Sequence, residues 1–318
     1  MRSQKLTPGS VVFLIFCFLF LVGWGREAEA QESMTAAGSD TASFRVNTDL
    51  VRLSVNVTDR LGRPVADLDR DDIRLFEDKV EQKVDYFIPD KTPLAVGLLL
   101  DSSSSMGHDY KMDRARAATL HFVLTSLPDD QVFLIDFGSR ASLKIDFTSD
   151  HEVLRRTLEA VKSNGKTALY DAVYLGLDKL SRYRTERRKV ILLITDGADT
   201  ASRYTLEEVR DLARESDVQI YSVGILGRDM TQSSVYTLRE LGELSGGQAF
   251  FPRAPGEMVN ICFGIAVELH RQYILGYQST NPTRDGKWRK LSLKINRRQG
   301  WPRLVARSRS GYYAPGVR

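Results

Sequence analysis

Hydrophobic and polar positions change rhythm three times after residue 48, and each change marks a different kind of element. Over DLVRLSVNVTD (49–59) apolar and polar side chains alternate with a period of two, the pattern of a half-buried strand, and RLGRP supplies the turn that ends it. DDIRLFEDKVEQKVDYFIPD (71–90) continues in short strand-like pieces, with Phe76, Val80, Val84 and Phe87 as candidate core residues. At Pro93 the alternation stops. LAVGLLLD (94–101) and, later, KVILLITD (189–196) are apolar without interruption, as expected of strands covered on both faces in a parallel sheet.

Helical spacing at 112–127, 151–163, 168–183, 205–216, 234–245 and 256–272 alternates with further strands at 131–137, 142–147, 218–225 and 247–251. This order predicts an α/β fold with a doubly wound, mostly parallel sheet flanked by helices. After Gln272 the strands return as YILGYQS, WRKLSLKIN and RLVARSRSGYY, with the turn signals NPTRDG and RRQGWP between them. A few strands alone bury too little to be stable. The N-terminal β segment (45–92) and the C-terminal one (273–318) are therefore expected to pack into one small β-sandwich-like domain, with the α/β domain (93–272) inserted between them.

The first residues have a pattern of their own. Arg2 and Lys5 precede VVFLIFCFLFLV (11–22), and a polar stretch ends in Ala28-Glu29-Ala30, which predicts a secretory signal peptide (1–30) cleaved after Ala30. The apolar run is shorter than the roughly 20 residues that span a bilayer, so no transmembrane segment is expected after cleavage. Residues 31–44 read as a flexible leader, and the exported chain is placed in the periplasm, on the cell surface or outside the cell. Cys17 leaves with the signal, so Cys262, in the apolar helical pattern VNICFGIAVEL, has no partner for an internal disulfide and reads as a buried small hydrophobe.

Composition is that of an ordinary globular protein, 42% hydrophobic and 27% charged. The net charge of +4 conceals an asymmetry, because from Arg271 onward twelve Lys and Arg stand against a single acid, Asp285. The basic 273–318 segment offers contact to a polyanion, although strands also place Lys and Arg on wet faces for solubility alone. No nucleic-acid module is present, and no nucleic-acid partner is expected.

In open α/β sheets ligands bind at the carboxyl ends of the strands, where the strand order reverses. Asp101 and Asp196 both end apolar strands, so both carboxylates are expected in one crevice. In LLLDSSSSM (98–106), alternate residues of an extended loop face the same side, which lets Asp101, Ser103 and Ser105 converge while Ser102 and Ser104 face away. Hard oxygen donors of this kind suit Mg²⁺, Mn²⁺ or Ca²⁺ and not zinc. Two carboxylates bring such a site close to neutral once the ion enters, so it can accept an acid from outside.

DxSxS at 101–105, the threonine in GKTALYDA (165–172) and TDG at 195–197 together resemble the metal-ion-dependent adhesion site of von Willebrand factor A domains. The flanking segments are similar to those of the bacterial "VWFA-related" secreted proteins of acidobacterial type, so the resemblance covers nearly all of the mature chain. It implies that Ser103, Ser105 and Thr167 offer hydroxyls to a divalent cation, with Mg²⁺ the first expectation and Mn²⁺ or Ca²⁺ the alternatives. Asp101 and Asp196 would coordinate directly or through water. One coordination position would remain for the Asp or Glu carboxylate of a protein ligand. Asp199, in TDGADT, reads as exposed loop and not as a ligand.

Enzymatic readings fare worse. GKT (165–167) lacks the glycine that a phosphate-binding loop needs five residues before Gly165, where Ala160 stands. There is no GxSxG elbow, no HExxH and no cysteine pair, and none of His108, His121, His151 or His270 ends a predicted strand. His121 and His270 read as helix surface or core. The expectation is a non-enzymatic binding or adhesion protein of the envelope that works through a bound metal. The alternative is a scaffolding subunit of an envelope complex, in which the metal stabilises the domain.

Overall fold

The computed structural model describes residues 50–316, apart from 228, 255 and 297–299. The expected signal peptide and leader, and the first residues of the N-terminal β segment, lie outside the described residues.

A six-stranded sheet runs through the middle of the chain. Its strands are β5 (Leu94–Asp101), β6 (Gln131–Phe137), β7 (Ala141–Thr148), β8 (Arg188–Thr195), β9 (Val218–Gly224) and β10 (Gln248–Phe250), in the order β10-β9-β8-β5-β6-β7. All neighbours are parallel except the edge strand β7, which is antiparallel to β6. Period-two packing divides the uninterrupted apolar strands between two cores. Val96, Leu98 and Leu100 of β5 face α1 (Lys111–Thr125), α2 (His151–Ala160) and α6 (Glu257–Leu269). Ala95 and Leu99 face α3 (Leu169–Arg182), α4 (Leu206–Glu215) and α5 (Gln232–Ser245). Gly97 belongs to the second face, where a Cβ would stand 2.5 Å from the Phe133 ring. Cys262 is buried in the first core, and burial pushes its thiol up to about 12.

The chain leaves β5 for β6 on one side through α1, then returns through α3 on the opposite face to β8 on the other side. The strand order therefore reverses at β5, and its carboxyl end, Asp101, opens between two diverging connections.

The terminal strands make two further sheets of four. One is β13-β1-β11-β4, from β1 (Leu50–Thr58), β4 (Val84–Pro89), β11 (Tyr273–Gln278) and β13 (Val305–Arg307). The other is β14-β12-β2-β3, from β2 (Ile73–Glu77), β3 (Val80–Gln82), β12 (Trp288–Ile295) and β14 (Gly311–Tyr313). Each combines strands from both ends of the chain: β1 pairs with β11 from Leu50↔Gln278 to Val55↔Tyr273, and β2 pairs with β12 from Glu77↔Leu291 to Ile73↔Ile295. Leu53, Val55, Leu75, Leu275 and Tyr277 fill the shared core.

Two of the expected core positions differ. Asp78 and Lys79 form a two-residue turn, both with positive φ (46° and 72°), which leaves Val80 exposed at the start of an edge strand. Phe76 has the outward parity of β2 and lies half-buried between Arg74 and Lys294, while Ile73 and Leu75 point inward.

Buried polar groups join the β unit to the α/β unit. Arg188 pairs with Asp90 at 3.0 Å and donates to the Leu269 carbonyl (2.7 Å) and to Gln272 (2.8 Å), where the chain passes from β4 to β5 and from α6 to β11. A second network runs from Asn56 to the Tyr221 hydroxyl (3.0 Å), from that hydroxyl to Glu268 (2.7 Å), and from Arg307 back to Glu268 (2.9 Å).

Candidate metal-binding site

The crevice is built on the carboxyl ends of β5 and β8. Asp101 and Asp196 are both fully buried there. Asp101 accepts the Ser103 backbone N–H at 2.8 Å on one oxygen and the Thr195 hydroxyl at 2.6 Å on the other. Burial pushes its carboxyl up to about 6 against the pull of those Ser103 and Thr195 hydrogen bonds, and the charge of Asp196 adds to the rise.

The chain stays extended through Ser103 and then tightens into a 3-10 turn over Ser104–Gly107. The Ser103 and Ser105 hydroxyls lie 3.0 Å apart, and Ser105 donates to Asp196 at 2.7 Å. Asp101, Ser103, Ser105 and Asp196 therefore form one hydrogen-bonded chain. Thr167 is buried ahead of α3, with its hydroxyl 3.7 Å from where a Cβ on Gly197, the neighbour of Asp196, would stand.

The other two serines face elsewhere. Ser102 is buried against Gly138, and its carbonyl accepts the Asn164 N–H at 2.7 Å. Ser104 receives the Gly165 N–H on its hydroxyl (2.9 Å) and gives its own N–H to the Gly165 carbonyl (3.0 Å). The same loop is fixed from two more sides, by the Ser139 hydroxyl on the Lys166 N–H and the Thr200 hydroxyl on the Thr167 N–H, both at 3.0 Å. Asp199 is half-buried rather than exposed, because it accepts the Tyr170 N–H at the start of α3 and the Ser202 hydroxyl.

One participant escaped the sequence reading. Lys111, the first residue of α1, places its ammonium 2.6 Å from Asp196, with only 9% of its side chain exposed. The two residues before it, Asp109 and Tyr110, are both left-handed (φ 54° and 56°), a conformation costing about 1–2 kcal/mol per non-glycine residue. The sequence offered no signal for this, since a lysine opening a helix reads as solvated. Thr195 had a weak one, as a hydroxyl ending an otherwise apolar strand.

The donor set suits a hard divalent cation: the Ser103 and Ser105 hydroxyls meet the buried Asp196, the Thr167 hydroxyl stands beside the neighbouring Gly197, and the buried Asp101 is held in a setting that disfavours bare charge. Among the described residues no group of three or more His, Cys, Asp or Glu side chains could hold a metal, so an ion in this crevice would depend on the hydroxyls.

Residues 96–198 match the family model for the von Willebrand factor type A domain. The central α/β unit has the fold of a von Willebrand factor type A domain, and the family match lies within it. The matched stretch contains Asp101, Ser103, Ser105, Thr167 and Asp196. The solved structure of a von Willebrand factor type A protein from Catenulispora acidiphila superimposes with a TM-score of 0.50 at 12% identity, covering 86% of this chain and 76% of that one. Proximal thread matrix protein 1 from the mussel byssus, solved with a zinc-occupied MIDAS motif, is 19% identical over 60% of this chain and 49% of that one, with a TM-score of 0.48. An uncharacterized protein of Synechocystis sp. is 28% identical over 109 residues, or 34% of this chain. The match spans only 26% of that relative's length. The domain assignment supports a role in protein interaction. Among the described residues no helix is long and apolar enough to cross a membrane.

Proposed function

We propose that this chain is an exported, non-enzymatic binding protein whose von Willebrand A domain recognises an acidic side chain of a partner protein at the β5–β8 crevice. The observation that carries the reading is the hydrogen-bonded chain Ser103–Ser105–Asp196 with Asp101 behind it, at the point where the strand order reverses.

Ser103, Ser105 and Thr167 would hold a divalent ion, Mg²⁺ first, by their hydroxyls, with Asp196 and Asp101 balancing its charge. The bound ion would supply a coordination position for a carboxylate from outside. The chain's own groups prepare that position. Thr195 and the Ser103 N–H fix Asp101, Ser104 and Thr200 hold the loop carrying Thr167, and the burial of both carboxylates keeps water from screening them.

The charge of the β unit supports a second reading, in which the basic strands make the main contact within an envelope assembly. Lys290 and Lys294 lie exposed along β12. Affinity capture from envelope extract, with Mg²⁺ or with EDTA, separates the two. Retention of a partner that is lost in EDTA and in Ser105→Ala supports the metal-bridged reading. Retention that persists in both and fails in a Lys290→Glu/Lys294→Glu variant replaces it with the scaffold.

A further inference from the structure

We propose that Lys111 is a tethered cation of the crevice, which neutralises Asp196 in the absence of a divalent ion and competes with that ion for it. The inference rests on the metal-site reading above and adds a residue that opposes the ion.

Two features of the Lys111 environment disfavour a lysine there, and a third strains the backbone before it. It opens α1, where the helix dipole is positive and repels a cation. Its side chain is nearly buried, which disfavours an isolated ammonium. The two residues before it, Asp109 and Tyr110, are both left-handed, so the turn that leads into the helix carries backbone strain as well. What balances these is the 2.6 Å ion pair with Asp196. Gly227 lines the other side of the ammonium, where a Cβ would stand 3.3 Å from Nζ, so the opposing loop leaves it room.

The charge count explains what this does. Asp101 and Asp196 alone would be neutralised by a divalent ion. With Lys111 beside them, the crevice without the ion is left with about one negative charge rather than two, and the loaded crevice carries a surplus positive charge. Ion affinity is lowered, and the loaded site attracts an acidic partner more strongly than a neutral one would.

Isothermal titration of Mn²⁺ into the purified protein and its Lys111→Met and Lys111→Gln variants tests this, with circular dichroism and thermal unfolding in EDTA and in Mn²⁺ as controls on folding. Removing the ammonium is expected to tighten Mn²⁺ binding by about tenfold or more. It is also expected to lower the EDTA unfolding midpoint, with Mn²⁺ restoring it. A folded variant that binds equally or more weakly than a binding wild type overturns the role of Lys111 and leaves the site standing. Binding by neither the wild type nor the variants overturns both. If neither variant folds even with Mn²⁺, the ion does not replace the ammonium, and the proposal fails.

Discussion

Both ends of the central sheet bury carboxylates, and they treat them in opposite ways. At the amino ends of the strands, Asp90 pairs with Arg188, and Asp130 accepts the Leu94 and Leu127 N–H groups (2.7 and 2.8 Å) with a His270 ring nitrogen 2.8 Å away. Although burial works against its charge, those His270, Leu94 and Leu127 bonds hold the Asp130 carboxyl below its usual range. At the carboxyl ends, burial pushes Asp101 up to about 6, while Asp196 pairs with Lys111. A buried carboxylate whose bonds outweigh burial is part of the framework, whereas one whose charge burial still disfavours is a place where a cation from outside is welcome.

The largest test of that contrast is Arg188→Met. It strands Asp90 in the junction and is expected to lower stability by about 3–5 kcal/mol in urea unfolding, without changing Mn²⁺ affinity of the folded fraction. Asp101→Asn should do the reverse. It removes a charge that burial disfavours, so unfolding in EDTA should stay within about 1 kcal/mol of wild type or improve. Titration calorimetry should meanwhile show Mn²⁺ affinity reduced about a hundredfold or more.

Asp130→Asn sharpens the comparison through pH. A carboxyl held below its unfolded value stabilises the fold fully above about pH 4 and loses that contribution as pH falls through its folded value. The variant should therefore be about 1–2 kcal/mol less stable at pH 7, with the gap closing at lower pH in acid unfolding curves. The smallest effect is expected for Ser104→Ala. It removes the acceptor of the Gly165 N–H and leaves the ion's ligands in place, so Mn²⁺ affinity should fall by only about threefold, against about tenfold or more for Ser105→Ala.

The α/β architecture was legible because uninterrupted apolar strands and helical spacing are strong, long signals. LAVGLLLD and KVILLITD put Asp101 and Asp196 at strand ends, and the structure places those ends side by side. The β unit was harder to read. Residue-by-residue parity sends Leu75 inward and Phe76 outward, and hydrophobicity does not distinguish the two. What could not be read at all was tertiary. Lys111 reaches Asp196 across 85 positions of sequence, through a left-handed turn that neither Asp109 nor Tyr110 announces. Nor does any local pattern show that Ser104, Ser139 and Thr200 brace the loop carrying Thr167.

One divalent ion is expected among Ser103, Ser105, Thr167 and Asp196. Anomalous diffraction at the manganese edge, from crystals grown with Mn²⁺, tests it most directly. A single strong peak is expected in contact with the Ser103 and Ser105 hydroxyls and beside Asp196. Crystals in which that position shows no peak, or in which the ion binds elsewhere while Lys111 remains on Asp196, would contradict it.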